Sequence, residues 1–299
     1  MLLSSFFFAT MAVCVKIASE WFGTAEILFY RGAIGMLLMW LWARSRGETL
    51  ATAYGSMHLW RSVVGVISLG AWFYSIAYLP VATAMTLNYM SSVWIAVFLI
   101  GGALFAWNPR DGLAAPLRQG PLAATVAAGF AGVVLMLRPT LEQDQLFAAV
   151  IGLLSGLTAA IAYLQVMALG RLGEPETRTV FYFALGSAIG GLVGMLATGT
   201  AVGTASDWHW SRAGWLLPIG LLAALGQFCM TRAYAETSTL VVANLQYSGI
   251  VFGALYSLLL FGDRIPLLGW AGMALIVASG IAATVLRARA APDSPAEEH

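Results

Sequence analysis

Charged residues are scarce in this sequence. Only 10% of its 299 residues are charged, 60% are hydrophobic, and the mean hydropathy is +0.82. A soluble domain carries about 25% charged residues, so this chain has too few to cover a water-exposed surface. The apolar runs are continuous and do not alternate with polar residues, which excludes a transmembrane β-barrel. The sequence therefore predicts an all-α polytopic membrane protein.

Residues suited to catalysis or metal binding are scarce as well. Three histidines (His58, His209 and His299) lie near predicted helix ends or in the tail, and two cysteines (Cys14 and Cys229) lie inside apolar segments. HExxH, GxSxG and P-loop motifs are absent, and the carboxylates are not clustered. We therefore predict no enzyme activity, no cofactor and no metal site. The net charge of +1 gives no indication of nucleic-acid binding.

Ten apolar segments are long enough to cross a bilayer, which takes about 20 residues each. They are Leu2–Ala18, Ala25–Ala43, Leu59–Leu79, Ala82–Phe105, Pro121–Leu137, Leu146–Leu169, Thr177–Ala197, Ala213–Tyr234, Thr239–Phe261 and Leu267–Leu286. The polar residues that follow, 288–299, are predicted to form a disordered tail.

One stretch of the sequence occurs twice. Residues 77–105 resemble residues 233–261 at a constant offset of about 156 residues. Asn88 matches Asn244, and Ser92 matches Ser248. Asparagine is costly in an apolar helix, so its presence at the same position of both copies predicts a paired functional site. The alternative is that each asparagine only hydrogen-bonds a neighbouring helix.

The first five segments echo the last five. Leu2-Leu3-Ser4-Ser5 resembles Leu153-Leu154-Ser155-Gly156, and Phe29-Tyr30 resembles Phe181-Tyr182. An odd number of spans per repeat places the two halves in opposite orientations, as in secondary transporters with inverted repeats. We therefore predict two inverted five-helix repeats around a central cavity, residues 1–138 and 139–287.

The positions of arginine and lysine predict the orientation in the membrane. With the N-terminus inside, ten of the 15 basic residues fall on the cytoplasmic side and five on the other side. Such an excess marks the cytoplasmic face. We therefore expect both termini in the cytoplasm of a multi-pass protein in the plasma membrane, the inner membrane of a bacterium.

Polar and aromatic residues follow single faces of several predicted helices. A mixed aromatic and neutral-polar lining suits a small amphipathic solute, although each residue could equally serve helix packing. The predicted substrate-binding residues are Met11, Trp72, Ser75, Tyr78, Asn88, Ser92, Gln165, Gln227, Thr231, Tyr234, Asn244, Tyr247 and Ser248. The neutral character of this set favours neutral and aromatic amino acids.

Three charged residues, Lys16, Glu26 and Arg31, are predicted to serve gating or charge interactions. All three lie near helix ends, so the alternative is that their charges reach the membrane surface along their side chains. The sequence places no titratable group near the centre of a span. We therefore expect facilitated diffusion or exchange, rather than obligatory proton antiport.

These features resemble the drug/metabolite transporter superfamily, and within it the ten-helix EamA-type exporters. The resemblance rests on Ala25-Glu26, Phe29-Tyr30-Arg31, Phe261-Gly262-Asp263 and the repeated unit. Asn88-Tyr89 is similar to the Asn-Tyr pair of YddG-type amino-acid exporters. The resemblance implies a basket of helices one to four and six to nine, with helices five and ten at its periphery. It also implies alternating access and the export of amino acids or related metabolites.

The sequence departs from this family at the centres of its fourth and ninth helices. Many members carry a proline there, whereas this chain has Ser92 and Ser248. We therefore expect these two helices to be straighter. The expected partners are a small-molecule substrate and the lipid bilayer, with the protein as a monomer. Alternatives are an exporter of apolar drugs, a carrier of a vitamin or nucleotide-like metabolite, a membrane-embedded enzyme, and a channel.

Overall fold

The protein is helical throughout the part of the chain that the structure describes. The computed structural model describes residues 1–91, 93–95, 97–98, 101, 120–137, 143–199, 210–236, 242 and 245–290, and these contain no strand. The main helices are α1 (Leu2–Ala18), α2 (Thr24–Arg46), α3 (Gly55–Tyr78), α4 (Val81–Asn88), α5 (Gly120–Leu137), α6 (Gln143–Arg171), α7 (Glu176–Ala197), α8 (Leu216–Glu236), α9 (Ser248–Leu260) and α10 (Leu267–Ala290). The all-α fold class is confirmed.

Five helices in the described residues are long and apolar enough to cross a membrane. They are Thr24–Arg46, Gly55–Tyr78, Gln145–Arg171, Glu176–Ala197 and Leu216–Glu236. Large apolar side chains point outward from the bundle, among them Leu259 and Leu267, which are 78% and 84% exposed. Such a surface requires lipid around it, so the chain is a multi-pass membrane protein.

Helices α2 and α7 cross with their backbones in contact. A Cβ atom built on Gly32 would lie 2.7 Å from the carbonyl oxygen of Ala184, and one built on Gly191 would lie 2.6 Å from Cα of Phe29. These spaces are too small for any side chain, so both positions require glycine. Small residues allow close helix approach in a membrane, where helices gain little from hydrophobic burial against one another.

The other helices surround this crossing. Helix α3 packs against α6 and α7, and α8 packs against α1 and α2. Helix α4 packs against α6 and α9, and α9 also packs against α1. Helix α5 packs chiefly against α10, so these two form a pair at the edge of the described bundle.

Helix α4 is shorter than the sequence predicts. It ends at Asn88, and a turn at Tyr89 and Met90 interrupts the predicted segment Ala82–Phe105. Helix α9 begins at Ser248 after a turn at Tyr247, inside the predicted segment Thr239–Phe261. The expectation of straighter helices is therefore wrong at both places.

The end of α4 is held by contacts with α6 and not by a proline. A Cβ atom on Gly156 would lie 2.6 Å from the carbonyl oxygen of Leu87 and 3.0 Å from that of Asn88. Because Gly156 has no side chain, α6 lies directly against these carbonyl groups. The side chain of Asn88 also donates a hydrogen bond from Nδ2 to Oγ of Ser155, at 3.0 Å. Tertiary contacts thus fix the break in this segment.

Candidate functional site

A cavity lies in the centre of the described bundle, between helices from both halves of the chain. It contains about 500 Å³ of space free of protein atoms, part of which is open to the outside. Its lining residues are Phe8, Arg31, Arg61, Gly65, Ser68, Leu69, Trp72, Asn88, Tyr89, Ala159, Ala162, Tyr163, Phe183 and Gln227. A smaller space of about 200 Å³ shares Arg31, Phe183 and Gln227 with it.

Four of the predicted site residues line this cavity: Arg31, Trp72, Asn88 and Gln227. The indole Nε1 of Trp72 is buried and has no hydrogen-bond partner among the described residues. Asn88 is buried at the end of α4, where the helix break brings its amide to the cavity wall. The end of α4 and the inward face of α3 therefore place the Asn88 amide and the Trp72 indole at the centre of the bundle.

Two arginines make the cavity lining cationic. The side chains of Arg31, from α2, and Arg61, from α3, are both buried, with 3% exposure each. Their guanidinium carbons lie 5.0 Å and 4.0 Å from the ring centroid of Phe183. Nη1 of Arg31 also donates a hydrogen bond to Oγ of Ser187 at 3.1 Å. The neutral lining predicted from the sequence is wrong, and Arg31 does not extend to the membrane surface.

Gly65 provides the space in which the Arg61 side chain lies. A Cβ atom at Gly65 would contact the guanidinium of Arg61 and would lie 2.8 Å from Cε2 of Phe183. The sequence indicates that Arg61 lies on the same side of α3 as Trp72. One helical face carries Arg61, Gly65, Ser68 and Trp72. Extending the predicted face of the third segment toward its N-terminus would have found Arg61.

Three of the predicted site residues on α1 and α3 are not in the cavity lining. Met11 is fully buried in the hydrophobic core, and Ser75 is fully buried beside Gly152 of α6. Tyr78 is 56% exposed, and its ring lies 4.7 Å from that of Tyr74 on the outer face of α3. The structure therefore keeps these three side chains out of the cavity, although Ser75 and Tyr78 follow Trp72 along α3.

Tyr234 reaches the cavity through other side chains. Its hydroxyl donates to Oε1 of Gln246 at 3.3 Å, and Nε2 of Gln246 donates to the hydroxyl of Tyr163 at 3.2 Å. Tyr163 lines the cavity. Two other predicted residues, Thr231 and Gln165, lie outside the lining, and their side-chain oxygens have no hydrogen-bond partner among the described residues.

The remaining predicted residues lie near the start of α9. Tyr247 is buried with its hydroxyl against Gly280 of α10. Oγ of Ser248 donates to the carbonyl of Leu245 at 2.7 Å. Ser92 and Asn244 lie outside the described residues, so the predicted pairing of the two asparagines stays a prediction.

Lys16 and Glu26 lie at helix ends, as the sequence predicts. Nζ of Lys16 donates to the carbonyls of Ala77 and Leu79, at 2.8 Å and 3.0 Å. A cation there satisfies free carbonyls at the end of α3 and complements the helix dipole. Glu26 is buried in the first turn of α2, and its Oε1 has no hydrogen-bond partner among the described residues.

A polar cluster joins the two halves at one end of the bundle. Glu174, in the connection between α6 and α7, accepts hydrogen bonds from Thr52, from Nε2 of His58 at 3.1 Å and from Nη1 of Arg178 at 2.5 Å. Burial alone raises the pKa of Glu174, but these hydrogen bonds and the charge of Arg178 outweigh it, so the pKa lies below its ordinary value. We call these four residues the Glu174 cluster.

This shift predicts acid-sensitive stability. A carboxylate whose pKa is lowered by folding contributes fully above its unfolded pKa, about 4.5 for Glu174, and that contribution is lost as the pH falls further. We expect the melting temperature of the detergent-solubilised protein to decrease when the pH is lowered below about 4.5. Glu174→Gln should lower it at pH 7 and weaken that acid dependence. Parallel acid curves for wild type and Glu174→Gln would contradict this account, and Glu236→Gln, in an exposed pair with Arg232, is the matched control.

Comparisons with known proteins agree with a transport role. The pseudopaline exporter CntI of Pseudomonas aeruginosa is 34% identical over 280 residues, which cover 94% of this chain and 93% of that protein. An uncharacterised transporter of Helicobacter pylori is 28% identical over 289 residues, covering 94% and 91%. A riboflavin transporter of Rhizobium johnstonii is 28% identical over 276 residues, covering 89% and 85%. No family model matches the chain.

The fold also resembles that of a solved protein. A crystal structure aligns with a TM-score of 0.64 over 97% of this chain and 96% of that chain. The sequence identity is 16%, so this likeness shows a shared fold and carries no information on the substrate.

Proposed function

Because the chain belongs to the transporter family of the pseudopaline exporter, of the drug/metabolite-transporter kind, we propose that it exports a small metabolite across the bacterial inner membrane. The observation that carries this proposal is the central cavity, which has polar and aromatic walls from both halves of the chain. A cavity enclosed by helices of a bundle is the usual place for a small-molecule site. Within this family we favour the EamA-type exporters.

Amino acids and related metabolites are the substrates we favour. The resemblance at Asn88-Tyr89 supports them, and the amides of Asn88 and Gln227 together with the indole of Trp72 supply the polar contacts. A vitamin is the second candidate, because two relatives are named riboflavin transporters. Aromatic walls at Trp72 and Phe183 would suit a flat ring system.

The helix contacts support two inverted repeats, residues 1–138 and 139–287. Exchanging α1–α5 with α6–α10 converts the α3–α6 contact into α8–α1, and the α8–α2 contact into α3–α7. The α1–α9 contact likewise becomes α6–α4, and the α2–α7, α4–α9 and α5–α10 contacts convert into themselves. Alternating access in such proteins is a rocking of one repeat against the other. The Glu174 cluster joins the two proposed repeats, so opening at that end would have to break it.

The proposed orientation can be tested by cysteine labelling. The ends of α2 and α6 lie at the same end of the bundle, joined by the Glu174 cluster, and we place both in the cytoplasm. Gly47 and Gly173, at these ends, have positive φ, a conformation that cysteine rarely adopts. Their exposed neighbours Arg46 and Leu172 are therefore better label positions, as Arg46→Cys and Leu172→Cys. Both should react with an impermeant thiol reagent only after permeabilisation, whereas Gly23→Cys should react in intact cells. The reverse pattern would contradict the orientation. Gly203, in the connection that the sequence places outside, is not among the described residues.

Transport by purified protein tests the proposed function itself. We expect counterflow of at least one metabolite from a panel of labelled amino acids, carboxylates and riboflavin in proteoliposomes. Asn88→Ala should slow it by about five-fold, because a lost hydrogen bond costs about 1 kcal/mol. Ser155→Ala removes the hydrogen-bond partner of Asn88 but leaves the Asn88 amide in the cavity. If Ser155→Ala slowed transport as much as Asn88→Ala, Asn88 would serve helix packing and not substrate binding. Flux without saturation would indicate a channel, and no flux at all would refute the proposal.

A further inference from the structure

The cavity holds two permanent positive charges that have no anionic partner in the described part of the chain. None of the described lining residues is acidic. Nε of Arg31 and both Nε and Nη1 of Arg61 are buried and have no hydrogen-bond partner there. Arginine stays protonated in proteins, so burial cannot remove either charge.

Leaving these charges unpaired is unfavourable. Taking an ion out of water carries a large penalty unless a counter-charge and hydrogen bonds replace the lost water. Phe183 offers both guanidinium groups an aromatic face, which compensates only in part. Ser187 satisfies one nitrogen of Arg31. The nitrogens that have no partner in the described residues can therefore still donate hydrogen bonds to acidic oxygens of a group that enters the cavity.

The geometry points to a particular substrate chemistry. We infer that Arg31, Arg61 and Phe183 form a binding site for a small metabolite that carries at least two carboxylate groups. The inference rests on the proposed function in taking this cavity as the substrate site.

Carboxylates match the arrangement of these nitrogens. The two guanidinium carbons lie within about 9 Å of each other, since they are 5.0 and 4.0 Å from the same ring centroid. A guanidinium presents parallel N–H donors that fit the two oxygens of one carboxylate. A molecule with two carboxylates on a short chain can therefore engage both arginines. Its remaining polar groups would meet Nε1 of Trp72 and the hydroxyl of Tyr89, neither of which has a hydrogen-bond partner among the described residues.

This site revises the selectivity expected from the sequence. Neutral and aromatic amino acids would leave at least one guanidinium unpaired, whereas a metabolite with two carboxylates would neutralise both. Discrimination should then depend on charge more than on size, because a site built for hydrogen bonds rejects an analogue that cannot make them.

The test is ligand-induced stabilisation of the purified protein in detergent. Glutarate and L-glutamate, at about 10 mM, should raise the melting temperature by about 2–5 °C. Their neutral isosteres, glutaramide and L-glutamine, should raise it by less than half as much. Arg31→Gln and Arg61→Gln should each abolish the difference, while Arg61→Lys should retain part of it. Arg232→Gln, at an exposed position outside the cavity, should behave as wild type.

Three results of the ligand experiment would overturn the inference. They are equal stabilisation by the neutral isosteres, no stabilisation by any carboxylate, and stabilisation by inorganic phosphate as large as that by glutarate. Without ligand, Arg61→Gln should melt at or above the wild-type temperature, because it removes a buried charge that has no anionic partner among the residues that the structure describes. A lower melting temperature would mark Arg61 as a structural residue and also overturn the inference. Binding without transport would leave the inference standing and refute the proposed function.

Discussion

Replacement of Gly32 by alanine is expected to prevent the protein from reaching its folded state. The added Cβ would lie 2.7 Å from the carbonyl oxygen of Ala184 and would also contact the backbone of Ala188. Backbone atoms cannot rotate away as side chains can, so α2 and α7 would have to move apart. Overpacking of this kind costs about 1–3 kcal/mol, and sometimes more. In this protein the clash would separate α2 from α7, and these helices carry Arg31 and Phe183.

The matched control for Gly32→Ala is Gly70→Ala in α3. A Cβ at Gly70 has no neighbouring atom within 4 Å, and alanine is the better helix former by about 1 kcal/mol. Size-exclusion chromatography of fluorescently tagged protein should show a folded peak for Gly70→Ala and little or none for Gly32→Ala. Wild-type yield and melting temperature for Gly32→Ala would mean that the α2–α7 contact is looser than described.

Loss of either cavity arginine is expected to reduce transport strongly. A hydrogen bond to a charged group contributes about 1.5–3 kcal/mol, so Arg31→Gln or Arg61→Gln should reduce counterflow of a carboxylate substrate by about 10- to 150-fold. Both variants should be produced in normal amounts, because the charge they remove has no carboxylate partner among the described residues.

The comparison of Arg61→Lys with Arg61→Gln separates charge from shape. Lysine keeps the positive charge but loses the parallel donors of the guanidinium, so its transport rate should fall between those of wild type and Arg61→Gln. Arg232→Gln changes an exposed ion pair with Glu236, outside the cavity. Equal losses in Arg61→Gln and Arg232→Gln would contradict a specific role for Arg61 in the cavity.

Helix location was predictable from the sequence because it depends on local composition. The bounds of α1, Leu2–Ala18, match the prediction, since a continuous apolar run and its ends are local properties. The break at Asn88 was not predictable in this way. It depends on Gly156 lying against the carbonyl groups of Leu87 and Asn88, and these residues are distant in sequence.

The side chains in the cavity were predictable only in part. Trp72 and Asn88 follow polar faces, and both line the cavity. Tyr78 is on the predicted face of α3 as well, yet it is 56% exposed, because the cavity reaches only part of the length of that helix. Arg61 is one of the ten basic residues that the sequence places on the cytoplasmic side, and it is not among the predicted site residues. The packing of Gly65 and Phe183 around its guanidinium depends on α7, which the sequence of α3 alone cannot indicate.

The proposed function requires that substrate passes through the cavity between the two halves. The direct measurement is counterflow by Ala162→Cys in a background with Cys14→Ala and Cys229→Ala. Ala162 is buried in the cavity wall, and Leu164, 40% exposed on the same helix, provides the control position Leu164→Cys. We predict that a bulky thiol reagent blocks counterflow at position 162, that substrate slows this reaction, and that labelling at position 164 leaves counterflow intact. Complete modification at position 162 with unchanged counterflow would contradict the account.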